Sequence, residues 1–226
     1  ESGIHVRCGD KEVVVEKVFA SLGRRPNLQS LALEDLSLVL DDRGVPVYNP
    51  QTMQVGDLPV FIAGDVNADR AILHEAGHEG RVAGYNASHD KITAFKRKTP
   101  LGITFCDPNI ATVGAQLNEL NEAEIAVGEV PFGPVSRALM IGKNRGVLRI
   151  YVQRSTGRLL GAAMVCVKGE NLAHLLAWSI QQQLTVFDLL KMPFYHPVIE
   201  EALQAALYDV LSELDIKEEL VELEKV

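Results

Sequence analysis

Hydrophobic and polar positions along this chain change rhythm several times. Residues 12–22, EVVVEKVFASL, are apolar and β-branched and predict a strand. GRRPN at 23–27 interrupts it with Gly and Pro, which predicts a loop. Residues 31–40 mix apolar residues with acids and favour neither helix nor strand, DDRG at 41–44 predicts a turn, and VPVYNPQT at 45–52 predicts a short strand and a loop. LPVFIAGD at 58–65 is an apolar run of strand length ending in Gly64 and Asp65, which predicts a buried strand. The period then becomes helical: Ile72, Ala76, Glu79, Ala83 and Ala87 recur through the following segment, with Asn67 or Asp69 as its cap.

Residues 88–102, SHDKITAFKRKTPLG, are polar and basic and read as a linker. Beyond it, ITFCDPNIATVG at 103–114 predicts strand, turn, strand, and LNELNEAEI at 117–125 a short helix. EVPF, RALMIG and GVLRIYVQ follow as strands, and STGR at 155–158 turns the last of them into LLGAAMVCV as a hairpin. NLAHLLAWSIQQQL at 171–184 is amphipathic, with Leu172, Leu175, Leu176, Ser179 and Ile180 on one side. The segment from Glu200 to the last residue predicts a helix, and Val210, Leu211, Leu214, Leu220 and Leu223 form its packing stripe. The second part is therefore α+β, an antiparallel sheet with helices on one face. The first part is an incomplete α/β portion, with too few strands to close a doubly wound sheet.

Composition narrows the function. The chain has 226 residues, 47% of them hydrophobic, enough for one large or two small cored domains. A net charge of −8 argues against a nucleic-acid binder, which carries a basic face. No apolar run reaches the roughly 20 residues of a membrane helix. Cys8, Cys106 and Cys166 are three, far apart, in no CxxC and at no metal-ligand spacing, which favours a reduced, cytoplasmic chain with no metal site. The first residues, ESGIHVRCGDKEVVV, lack a methionine and already look like strand; the chain reads as a piece of something longer.

Three constellations could carry chemistry. In FYHPVIEEAL, 194–203, a histidine stands before a proline at the start of a helical pattern, with two glutamates just inside. The residue before proline is pushed to extended geometry, and Pro197 suits the first helical position. His196 then stands outside the helix, so helical spacing does not select its partner, and Glu200 and Glu201 stay open. A histidine oriented by a carboxylate is a general acid/base; the plainer reading is a helix start with a solvated acidic turn. Gly64-Asp65, at the end of an apolar strand and before a helix, suits a ligand hydroxyl or an anion, although such a turn is more often only a connection. His74-Glu75-Ala76-Gly77-His78 satisfies H-E-x-x-H in letter, but it lacks a third ligand and carries glycines in the helix, which favours a solvated helix face.

GRRPN, an apolar strand ending in GDV, a helix with HEAGHEG, then FCDPNIATVG, RALMIG, TGRLLGAAMV and HPVIEE occur in one order. That order resembles the carboxyl-terminal half of the pyridine nucleotide–disulfide oxidoreductases, from about residue 12 to 208, and is most similar to their dihydrolipoamide dehydrogenase branch. The resemblance implies three parts: 1–22 ending an NAD-binding domain, 23–95 the second part of an FAD-binding domain, and 96–226 a dimerisation domain. It implies that Arg24, Pro26 and Asn27 form the loop between the nucleotide domains, that Asp65 binds FAD, and that Leu73 and His74 open a helix facing the flavin's pyrimidine edge. It makes His196 the acid/base and chooses Glu201 as its orienting carboxylate. The implied parent is a homodimer that uses FAD and NAD and acts on a dihydrolipoyl group or another small dithiol or disulfide.

The sequence also departs from that family. It contains no GxGxxG and no CxxxxC, so neither dinucleotide fingerprint nor the redox disulfide is in it. It has FCDPN where threonine and glutamate usually flank Asp-Pro, and Phe194-Tyr195 before the dyad. The segment after about 209 carries no cysteine pair, which argues against mercuric reductases and large thioredoxin reductases. The expectation is a chain inactive by itself and holding no cofactor. The alternatives are a transhydrogenase-like flavoprotein portion without a redox disulfide, and a dimerisation module without chemistry.

Overall fold

The computed structural model describes residues 3–217 and 222–223, apart from the Glu34 side chain. The chain forms two compact units, 1–96 and 97–226.

The first unit opens with a hairpin, β1 (Ile4–Cys8) against β2 (Lys11–Val15), turned at Gly9, whose φ of 58° suits glycine. The strand expected over 12–22 thus stops at Val15, and Val18, Phe19 and Leu22 are exposed. Residues 16–32 form no element, Leu33–Leu36 is one 3₁₀ turn, and 41–44 is the expected turn, closed by Gly44 N–H on Asp41 O. The segment 58–65 is not a full strand. It pairs only with 53–55, through Val55 N–H on Val60 O, Ile62 N–H on Met53 O and an isolated bridge from Gln54 to Phe61. A buried strand needs neighbours on both sides, and among the described residues only this short segment offers its backbone groups. A small core of Val45, Val55 and Ile62 holds these loops.

One helix, α1 (Leu73–Ala87), follows a 3₁₀ turn at Asp65–Asn67. Its cap position is Ile72 with no side-chain cap, not Asn67 or Asp69. Asn67 Oδ1 instead accepts Asp69 N–H at 3.0 Å and its amide is spent on Glu79. The inward face of α1 is polar: Glu75, Glu79 and Asn86 are buried beside Val82, while Ile72 and Ala87 of the expected stripe are exposed.

The second unit is α+β. Its antiparallel sheet runs β3-β4-β7-β6-β5, built from β3 (Leu101–Thr104), β4 (Asn109–Gly114), β5 (Ile125–Pro131), β6 (Val147–Gln153) and β7 (Leu159–Cys166). Alternation puts Ala111, Val113, Ala126, Val130, Leu148, Ile150, Ala162 and Met164 on one buried face. Against that face pack α3 (Gly169–Gln181) on β3, β4 and β7, and α5 (Glu201–Leu211) on β5 and β6. Two short helices complete it, α2 (Ser136–Met140) and α4 (Val186–Leu190).

Three expectations change here. RALMIG is helix α2 rather than strand: Arg, Ala, Leu and Met favour a helix, and Ala138 needs only one buried contact face. Residues 117–125 give only a 3₁₀ turn, Leu117–Glu119, before β5 starts at Ile125. The last helix begins at Glu201 and ends at Leu211. Pro197 therefore lies outside it, and Leu214 is buried but lies in a non-helical segment. Leu223 is exposed, and Leu220 lies outside the described residues.

Candidate functional site

In the second unit, the chain leaves α4 and reaches His196 through Pro193 in a segment without regular structure. His196 is 70% exposed, and its Nδ1 lies 2.7 Å from Glu201 Oε1. The other carboxylate oxygen, Oε2, accepts Val198 N–H at 3.0 Å. Glu201 is the first residue of α5, where a carboxylate also faces the positive end of the helix. Its backbone is held from below: Ala202, Leu203, Ala206 and Leu207 are almost fully buried against the sheet. The hydrogen bond from His196, then that from Val198 N–H, hold the Glu201 carboxyl below its ordinary pKa. Glu200 takes a different part, its carbonyl accepting Leu203 and Gln204 N–H as the helix starts.

An imidazole with Nδ1 bound to an anchored carboxylate keeps its proton there and leaves Nε2 to exchange a proton with a neighbour. Glu201 supports the charged imidazolium when that happens. Spacing alone left Glu200 and Glu201 open, because the geometry between a pre-proline residue and a helix start is not periodic, and the family resemblance chose Glu201. The Val198 N–H contact carried no sequence signal at all.

The first unit holds the other expected residues. Asp65 sits in the 3₁₀ turn after Gly64, its side chain 40% exposed and ion-paired with Arg24. Arg24 also donates to Ala71 O at 2.6 Å, and Arg43 to Ala68 O at 2.8 Å. These residues line a cleft of about 550 Å³ with Arg25, Pro26 and Gln29. Leu73 and His74 open α1 and are exposed, Leu73 at 89%. Ile72 supplies no side-chain cap to the start of α1, where Leu73 and His74 present backbone N–H groups. Arg43, in the DDRG turn, was not singled out from the sequence; a basic residue in a polar turn is too common a pattern to mark a site. His74 and His78 share α1, but the described residues contain no group of three His, Cys, Asp or Glu side chains that could hold a metal ion.

None of the three thiols joins these constellations. Cys166 is fully buried, and burial, with Glu170 nearby, pushes its pKa up to about 12. Cys8 and Cys106 are exposed. Among the described residues no helix is long and apolar enough to cross a membrane.

Comparison with known proteins adds a relationship to this geometry. Residues 101–207 match the family described as pyridine nucleotide-disulphide oxidoreductase, dimerisation domain. Dihydrolipoyl dehydrogenase 2 of Haloarcula marismortui is 30% identical over 91% of this chain and 45% of its own length. Dihydrolipoyl dehydrogenase of Thermus scotoductus is 30% identical over 91% of this chain and 46% of its own length. The HOCl-induced flavoprotein disulfide reductase RclA of Escherichia coli, in a Cu(II) complex, superposes with a TM-score of 0.77 at 22% identity, over 92% of this chain and 48% of that one. The chain thus spans about half the length of the relatives it matches, and the resemblance read from its motifs holds over nearly all of it.

Proposed function

We propose, because residues 101–207 match the dimerisation-domain family of the pyridine nucleotide–disulphide oxidoreductases, that this chain is the carboxyl-terminal portion of an FAD-dependent, NAD-linked oxidoreductase of the dihydrolipoamide dehydrogenase kind. In that parent it contributes the homodimer interface, one wall of the flavin site and an acid/base dyad. The observation that carries the reading is the exposed His196 imidazole held through Nδ1 by a carboxylate anchored at the start of α5.

In this reading His196 Nε2 takes a proton from a thiol of a small dithiol substrate such as a dihydrolipoyl group. The thiolate so formed is the species that attacks a disulfide sulfur. Glu201 fixes the imidazole's orientation and stabilises the imidazolium, and Val198 N–H stops the carboxylate from swinging away. The proton returns when a thiolate leaves, so the histidine is unchanged over the cycle. The cysteine pair that receives the electrons lies in no part of this sequence.

The first unit's residues fit a flavin dinucleotide. The cleft sets Arg24, Arg25 and Arg43 around Asp65, guanidinium groups for a diphosphate and a carboxylate for a polyol hydroxyl. Leu73 and His74, at the uncapped start of α1, offer backbone N–H groups to an electron-rich ring edge. When bound, the flavin supplies two-electron transfer between dithiol and nicotinamide. The 226-residue chain alone has no phosphate-cradling glycine loop, so by itself it is inactive and holds FAD weakly.

The test is the longer polypeptide that continues upstream of Glu1. It should carry GxGxxG and CxxxxC, be yellow and reduce a lipoyl disulfide. His196→Ala should lower turnover by about 10²–10⁴-fold with flavin retained. Unchanged turnover would remove the dyad, and an upstream sequence without the cysteine pair would remove the disulfide chemistry.

A further inference from the structure

Glu79, in the second turn of α1, is 0% exposed. A carboxylate is retained at such a position only where its oxygens are met by donors. Its Oε2 accepts Gly64 N–H and Asn67 Nδ2, each at 2.7 Å. The two donors bracket Asp65, one residue before it and two residues after. Asn67, itself 2% exposed, extends the grip by accepting Asp69 N–H at 3.0 Å. Gly64 has φ of 79°, and a Cβ there would meet Ala76 Cβ at 3.2 Å, so the turn is seated directly on α1. Asp65 is half-buried in a turn whose two ends are pinned from beneath.

We propose that Glu79 is a positioning residue: it touches no ligand, but clamps the Gly64–Asn67 turn and so aims the Asp65 carboxylate at the polyol hydroxyls of a flavin dinucleotide. This rests on the flavin reading above. An apolar side chain would fill the same volume beneath the turn. It would leave Gly64 N–H and the Asn67 amide unsatisfied, and the turn would move to find other partners. The clamp therefore acts on where Asp65 stands, not on whether the unit has a core, which Val45, Val55 and Ile62 form elsewhere.

The experiment uses the full-length flavoprotein with Glu79→Leu, Glu79→Gln, Asn67→Ala and, as a general destabilisation control in the other unit, Thr185→Ala. FAD release is followed by the rise in flavin fluorescence on dilution. Glu79→Leu should speed release by about tenfold or more. Glu79→Gln, whose one amide oxygen can still accept both donors, should release FAD more slowly than Glu79→Leu. Thr185→Ala should lower the melting temperature and leave release unchanged. If Glu79→Leu does not fold, Asn67→Ala, which removes one of the two donors and leaves Glu79 in place, must itself speed release. Release at the wild-type rate in Glu79→Leu, or equal acceleration in the Leu and Gln variants or in the control, overturns the clamp. A wild-type protein that binds no FAD overturns the flavin reading instead. The clamp is then judged on the 226-residue chain, where Glu79→Leu must accelerate hydrogen exchange at the Gly64 amide.

Discussion

Gly128→Ala should separate α5 from the sheet. Gly128 lies in β5 with its Cα facing the middle of α5 at Ala206. A Cβ built there would stand 2.3 Å from Ala206 O and 3.0 Å from Ile150 Cγ1. The first neighbour is helix backbone and cannot rotate away. Relief needs α5 to retreat by about 1 Å in a close-packed core. The helix is held in place by Leu203, Ala206, Leu207 and Val210, all at most 1% exposed, and by Glu129 N–H donated to Asp209 Oδ2 at 2.9 Å. Overpacking of this kind costs about 1–3 kcal/mol, and loss of the Asp209 hydrogen bond adds about 1 kcal/mol. Gly128→Ala should therefore destabilise the second unit by about 2–4 kcal/mol. Gly133→Ala is the matched control: its Cβ would meet nothing within 4 Å, and the change should stay within about 0.5 kcal/mol. Urea unfolding followed by far-ultraviolet circular dichroism reads both. Because α5 begins at Glu201, Gly128→Ala should also shift the His196 imidazole resonances, and Gly133→Ala should not. A Gly128→Ala chain as stable as wild type would refute the close approach on which the dyad's placement depends.

Other expectations concern the same unit. Glu201 has its pKa lowered by His196 and Val198 N–H, so its stabilisation is complete well above 4.5, the ordinary glutamate value, and is lost as pH falls through the lowered one. Glu201→Gln should flatten that acid limb in a denaturation series, and an unchanged limb would place the shift elsewhere. Thr185 caps α4 reciprocally, its hydroxyl accepting Asp188 N–H at 3.1 Å while Asp188 Oδ2 accepts Thr185 N–H at 2.8 Å. Thr185→Ala should cost about 1 kcal/mol, measured by the same urea titration. Of the three thiols, Cys8 and Cys106 should react with a disulfide reagent in the folded chain and Cys166 only after unfolding. Rapid titration of all three would contradict its burial.

The sequence by itself determined most of the second unit. The strand-length apolar runs GVLRIYVQ and LLGAAMVCV, with the STGR turn between them, are legible as an antiparallel hairpin. The spacing of Leu172, Leu175, Leu176 and Ser179 leaves one helix orientation. These are local signals whose partners lie a few residues away. RALMIG escaped because a short apolar run carries no period, although its Arg, Ala, Leu and Met favour the helix it forms. In the first unit, LPVFIAGD was apolar enough for a central strand, yet a strand is made by its neighbours, and the segment found only 53–55. The site divides in the same way. His196 before Pro197 was readable as a residue outside a helix. That Glu201 and not Glu200 meets it, that Val198 N–H locks the carboxylate, and that Glu79 grips both sides of Asp65 were decided by tertiary structure. Each of these contacts depends on the directions of two backbones that meet in space, and residue order encodes those directions only through the packing of the whole unit.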